Sequence, residues 1–218
     1  MCRFLLAKSE NPIKPKTILE QFSIMAQKNK TYDGDWQGDG WGFSWYENSS
    51  WKLYRSIKPI WQDRSTFQNF PKTNLFSIHV RSASFPHHKN NIQFNQPYLS
   101  NDYIFVFNGL LKKVSLSIPG KIGAEKIWFL LKKNLRSKKP SEALEKVGDI
   151  LKKNSKEIQA LNIGLSDGKN IYTFSFFTKH PEYYKIRYFK VSSLSLISSE
   201  PIGEYIFDTA DNNSIICL

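Results

Sequence analysis

Cysteine occurs twice in this chain, at Cys2 and at Cys217, and the first stands at the very start of the sequence. Removal of Met1 would leave the Cys2 thiol beside a free α-amine, a group that titrates near about 7.7–8.0 and is therefore partly neutral and basic at physiological pH. One residue would then hold both a nucleophile and its general base. Cysteine is small enough in second place for ordinary methionine trimming. The plainer reading makes Cys2 the first residue of an apolar strand, Cys2-Arg3-Phe4-Leu5-Leu6.

Three other stretches carry chemistry. Arg81, in His79-Val80-Arg81-Ser82-Ala83-Ser84, ends an apolar run and is followed by small residues. Its planar fork suits a carboxylate better than lysine would, because two parallel N–H bonds fix the orientation. A strand-end arginine reaching into solvent is the alternative. In Phe107-Asn108-Gly109 a side-chain amide and a glycine N–H arrive together, the construction of an oxyanion hole, where one donor is worth about 2.7–4 kcal/mol of barrier. Asn-Gly is equally a common hairpin turn. Finally, Gly38-Asp39-Gly40-Trp41-Gly42 allows unusual backbone angles and close approach of another segment. It lacks the Gly-Lys-Ser/Thr of a phosphate cradle.

The elements that must position these residues follow from periodicity. Strands are expected at Cys2–Leu6, Trp41–Tyr46, Trp51–Ser56 and Leu75–Ser82, then at Tyr103–Phe107, ending at Asn108-Gly109. Later strands are expected at 160–166, 171–177, 184–191 and 194–198. Helices are expected over 15–29, 123–135 and 141–153, the last with Ser141 as N-cap. A Gly/Asp-rich loop, Asp33-Gly34-Asp35 onward, precedes Trp41. Strands on both sides of a helical pair argue for an α+β fold of stacked sheets covered by helices.

Length points to one domain over 1–218. No apolar run approaches the ~20 residues of a membrane span, the N-terminus has no signal-peptide pattern, and two distant cysteines give no disulfide framework. The reading is a cytoplasmic protein without membrane attachment. The net charge of +12 would suit nucleic acid. The excess, however, is concentrated between Lys121 and Lys156, where lysines alternate with Glu142, Glu145 and Glu157 as on a solvated helix face. No nucleic-acid-binding signature accompanies it. His79, His87, His88 and His180 form no ligand pattern, so neither metal nor cofactor is expected.

Together and in order, these pieces resemble the class-II glutamine amidotransferase domain, an N-terminal nucleophile hydrolase, in its compact stand-alone form. The residues that carry the resemblance are Met1-Cys2-Arg3-Phe4-Leu5, Asp39-Gly40-Trp41-Gly42 and His79 to Ser84. They continue with Asn95-Gln96-Pro97-Tyr98, Phe107-Asn108-Gly109-Leu110 and Ser199-Glu200-Pro201. The resemblance implies an αββα sandwich of two stacked, mainly antiparallel sheets, and hydrolysis of a γ-carboxamide to glutamate and ammonia. It makes Cys2 the nucleophile, with its own amine as base through a water. Asn108 and Gly109 would hold the oxyanion and Arg81 the α-carboxylate of glutamine. Ser84, Trp41 and Glu200 are candidate substrate-binding residues, with Trp41 and its loop walling the site and Glu200 supporting it from a late strand.

The chain departs from that pattern at Phe107, Gln37 and Gln96, each where histidine is common, and at Gly123, where an aspartate usually accepts the glutamine ammonium. Either Glu125 or Glu200 takes the ammonium, or the substrate is a γ-glutamyl amide or peptide rather than free glutamine. A catalytically silent binding subunit is the reading from another class. With no synthase domain in the chain, a partner that accepts ammonia is a further expectation, and the basic helical face is a candidate place for it to dock.

Overall fold

A computed structural model describes residues 1–29, 32, 34, 36–100 and 102–218. Residues 33 and 35 of the expected Gly/Asp loop lie outside the described residues. Strand β1 (Arg3–Ile13) leads into α1 (Lys16–Lys28), the hairpin β2 (Trp41–Glu47) and β3 (Ser50–Ser56), and β4 (Thr73–Val80). Next come β5 (Tyr98–Leu99), β6 (Ile104–Val114), the helices α2 (Gly123–Leu135) and α3 (Pro140–Asn154), β7 (Ser155–Ser166) and β8 (Ile171–Ser175). The chain closes with α4 (Pro181–Tyr184), β9 (Arg187–Val191), β10 (Leu194–Ser198), β11 (Asp208–Thr209) and β12 (Ser214–Cys217).

The strands form two sheets, in the orders β11-β9-β10-β1-β4-β2-β3 and β12-β8-β7-β6-β5. Every pairing is antiparallel. Alternation along the strands sorts side chains into layers. In β1, Leu5 and Ala7 join Ile18, Leu19 and Phe22 of α1 in one apolar cluster. Phe4 and Leu6, on the opposite face, meet Ile104 and Val106 of β6 between the sheets. Phe105 and Phe107 then face Trp128 of α2 and Leu144 of α3. The result is helix, sheet, sheet, helix. Each fully buried aliphatic or aromatic side chain contributes about 1.5–3 kcal/mol, so all three apolar layers hold the sandwich together.

Several boundaries differ from the sequence reading. The β2–β3 connection is a two-residue turn, with Asn48 and Ser49 both left-handed at φ 50° and 59°, the twist a tight hairpin needs. Asn108-Gly109, by contrast, does not end a strand. Both lie inside β6, opposite Asn162 and Leu161 of β7. Nor is Ser141 the cap of α3: Lys139 caps it and Pro140 takes the first turn, where a missing N–H costs nothing. The strand expected over 184–191 begins only at Arg187, and Tyr184 instead ends the short helix α4.

Candidate active site

Cys2 immediately precedes β1, the strand that β4 and β10 flank. The register Arg3↔Val80 brings it alongside Arg81-Ser82, and its half-buried thiol lies 3.8 Å from the Ser82 carbonyl oxygen. A cavity of about 690 Å³ opens here, with Cys2, Arg81, Ser82, Ser84 and Gly109 in its wall. Four of the residues singled out from sequence thus come together from three distant parts of the chain.

Arg81 is buried and braced. Its Nη1 donates to Asn95 Oδ1 at 3.3 Å and its Nη2 to the His88 carbonyl at 2.8 Å. A guanidinium has five N–H donors, so capacity remains for an anion in the cavity. The glycine loop fixes the backbone beneath it: the Arg81 N–H donates to Gly40 O, and Asp39 N–H to Arg81 O, both at 2.9 Å. Asp39 Oδ2 also accepts the Ala83 N–H at 2.7 Å. Close approach explains the glycines. At Gly40, with φ +111°, a Cβ would stand 2.2 Å from Asn95 Nδ2, and at Gly42 a Cβ would stand 2.2 Å from Gln96 O. The loop is a bracket for Arg81 and the Asn95-Gln96-Pro97 segment.

The second sheet supplies Asn108 and Gly109. Counting alternation from Ile104 and Val106, Asn108 faces the gap between the sheets. It is 0% exposed, and neither its amide oxygen nor its nitrogen has a hydrogen-bond partner. A buried amide left unpaired costs about 1–3 kcal/mol, the kind of cost that persists at sites waiting for a ligand. Gln96 Oε1 accepts the neighbouring Phe107 N–H at 2.6 Å, tying the bracketed segment to β6. His79 is buried in the same interlayer. Burial pushes its pKa down to about 3, the backbone of Phe107 opposes that, and Arg81 and Arg55 reinforce it. The ring is neutral.

Sequence reasoning missed what anchors the strand that follows Cys2. Arg3, 2% exposed, reaches Glu200 Oε2 at 2.7 Å and donates through Nη1 to the carbonyls of Tyr183 at 2.6 Å and Ser199 at 3.1 Å. Its guanidinium also covers the Tyr183 ring, 3.4 Å from the centroid. Burial lowers the Arg3 pKa, while Tyr183 and Glu200 oppose the shift. Ser199 Oγ accepts the Phe4 N–H at 2.8 Å. The signal was an arginine placed second in an otherwise apolar strand. Such a charge needs a buried partner.

Three expectations need correction. Trp41 is fully buried on the α1 side of its sheet, with its indole N–H on Asp63 Oδ2 at 3.0 Å. It supports the loop from beneath and does not face the cavity. Glu200 is committed to Arg3, with Asn29 Nδ2 at 3.4 Å, and lies outside the cavity wall. It anchors the N-terminal strand from a position behind the cavity wall. Glu125 reaches back over the start of α2, accepting the Lys121 and Ile122 N–H groups at 2.6 and 3.3 Å. That is a cap and not an ammonium site. Among the described residues no helix is long and apolar enough to cross a membrane, and Lys132, Lys133, Lys138 and Lys139 are exposed on α2 and the turn before α3.

Solved structures share the fold. A glutamine aminotransferase class-II domain protein from Silicibacter pomeroyi is similar at 16% identity and TM-score 0.66, with 99% of this chain and 94% of that one covered. A predicted glutamine amidotransferase from Pseudomonas aeruginosa is similar at 14% identity and TM-score 0.57, covering 99% and 96%. Glutamine phosphoribosylpyrophosphate amidotransferase from B. subtilis is similar at 12% identity and TM-score 0.69 over 99% of this chain, which spans 47% of that larger protein. The sandwich is the αββα fold of N-terminal nucleophile hydrolases. No curated protein matches the chain. The family model for class-II glutamine amidotransferases matches residues 1–188, a stretch that holds Cys2, Arg81, Asn108 and Gly109, and the chain belongs to that family.

Proposed function

We propose that this protein is an amidohydrolase that uses the Cys2 thiol to cleave the γ-carboxamide of glutamine or of a γ-glutamyl compound. The observation that carries the reading is one cavity walled by Cys2, Arg81 and Gly109, with the unpartnered Asn108 amide beside it on β6. Met1 also lines the cavity, and its carbonyl accepts the Tyr183 hydroxyl at 3.2 Å. Trimming Met1 enlarges the site and frees the Cys2 amine. Burial raises the Tyr183 pKa, which keeps that hydroxyl a donor.

The amine then takes the thiol proton through a water while Sγ bonds to the amide carbon. Charge gathers on the carbonyl oxygen, which Asn108 Nδ2 and the Gly109 N–H receive without reorganising. The ammonium returns the proton to the leaving nitrogen, the C–N bond breaks and ammonia departs. Water, deprotonated by the same amine, cleaves the thioester to a carboxylate and restores the thiol. Arg81 holds the α-carboxylate, which fixes the amide against Sγ.

Intact mass spectrometry should show a chain that begins at Cys2. Ammonia release from a panel of glutamine and γ-glutamyl amides should fall to background in Cys2→Ala. A Cys2→Ala protein as active as wild type, or a mature chain that keeps Met1, ends the proposal.

A further inference from the structure

The cavity beside Cys2 is larger than glutamine needs. At about 690 Å³ it falls within the roughly 300–1,000 Å³ of pockets that enclose drug-sized ligands. Past Gly109, β6 and the segment leading into α2 give it an aliphatic wall of Leu110, Leu111, Val114, Leu116, Ile118 and Ile122. All six are half-exposed. Leu111 and Ile122 lean on the α2–α3 cluster and Leu110 on the Tyr183 cluster, while Val114, Leu116 and Ile118 join no core cluster among the described residues. Hydrocarbon left wet in a concave wall gains most from an apolar ligand chain.

The charges point the same way. Arg81, Lys112, Lys113, Lys121 and Lys126 line the cavity, and among the described residues no aspartate or glutamate does. Carboxylates that touch lining residues are already held. Asp39 has the Ala83 N–H and Lys89, Glu125 caps α2, and Glu157 pairs with Lys112 and Lys179. At Gly123, also in the wall, a Cβ would meet nothing within 4 Å, so a side chain has room there and none is present. A free α-ammonium brought into this site would shed water without finding an anion, which is expensive. Acylating that nitrogen removes the charge and supplies a chain for the aliphatic wall.

We infer that the substrate is a glutamine whose α-nitrogen carries a hydrocarbon acyl group. Its carboxylate sits on Arg81, its γ-amide at Cys2 and its acyl chain along the wall from Leu110 to Ile122. The inference rests on the Cys2 reading above. Sγ bonds to the carbonyl carbon of the γ-carboxamide, the C–N bond breaks, and the thiol proton leaves with the nitrogen as ammonia. Water then cleaves the thioester to N-acylglutamate and free thiol. No oxidant or reductant is needed.

The test is ammonia release from N-octanoyl-L-glutamine, N-acetyl-L-glutamine and free L-glutamine, using protein whose mass shows Met1 removed. The expected order of kcat/KM is octanoyl, acetyl, free, with at least about tenfold between first and last. Gly123→Asp should raise turnover of free glutamine and lower that of both acylated forms. Leu116→Asp should shrink the octanoyl-to-acetyl ratio. Free glutamine turned over as well as the octanoyl form overturns the substrate class and leaves the Cys2 chemistry standing. So does silence toward all three while a glutamine-like diazo-ketone still adds its mass at Cys2. Silence with no adduct overturns both readings.

Discussion

The layer between the two sheets has two ends built from the same strands. At one end β1, β4 and β6 contribute Leu6, Leu75, Ile104 and Val106, all buried and apolar. At the other, beside Cys2, β4 and β6 contribute His79 and Asn108, and β2 contributes Gly42 opposite His79. Within β6 the change takes two residues, from Val106 to Asn108. At the first end these strands present hydrocarbon packed on hydrocarbon. The other holds an unpartnered amide and an uncharged imidazole. The sandwich thus concentrates stability at one end and leaves unmet polar capacity at the end that opens to ligand.

That contrast can be tested by substitution, and the largest effect should come from the anchor at the start of β1, beside Cys2. Arg3→Leu would strip Glu200 and the Tyr183 and Ser199 carbonyls of their partner. Breaking a buried pair from one side typically costs about 3–5 kcal/mol, so chemical denaturation should show a loss of that size. A loss below about 1 kcal/mol, the level of a surface pair, would mean that Arg3 is not an anchor. At the apolar end, Leu6→Ala should cost about 2–5 kcal/mol of stability with kcat per folded molecule unchanged. At the polar end the pattern inverts. Asn108→Ala should slow turnover by about 10²–10³-fold while stability holds or rises, because an unsatisfied amide is removed. If Asn108→Ala unfolds the protein and Leu6→Ala slows the chemistry, the division between the ends is wrong.

The apolar end was legible in the sequence because burial writes itself as period two. Phe4 and Leu6 against Leu5 and Ala7 already assign two faces. The α2 boundaries, Gly123 to Leu135, agree with its helical periodicity. The polar end was legible in residue type but not in geometry. Asn108-Gly109 reads as a turn from local propensity, yet β7 pairs with it across more than fifty residues of intervening chain, and tertiary pairing overrides local preference. Trp41 stood next to the right glycines, but strand alternation turned it into the core. Glu200 was noticed as a motif residue. Its partner Arg3 lies at the other end of the sequence, and no local pattern links them.

The smallest effect tests whether the polar end is costly in acid. His79 is held neutral by burial, with a folded pKa of about 3, lowered further by Arg81 and Arg55. In the unfolded chain the imidazole titrates near the usual 6.5. Between those values the unfolded state binds the extra proton, so the sign is fixed: stability is full above about pH 6.5 and falls as pH drops toward 3. From pH 7 to pH 5 the loss through this one group is about 2 kcal/mol. His79→Gln keeps a polar side chain in place without the titration. Urea midpoints for both proteins at the two pH values isolate the histidine, because every other titrating group is common to them. Wild type should lose about 2 kcal/mol more than the variant. An equal loss would mean that the ring takes up its proton without unfolding the chain, and that the polar end admits charge as readily as water does.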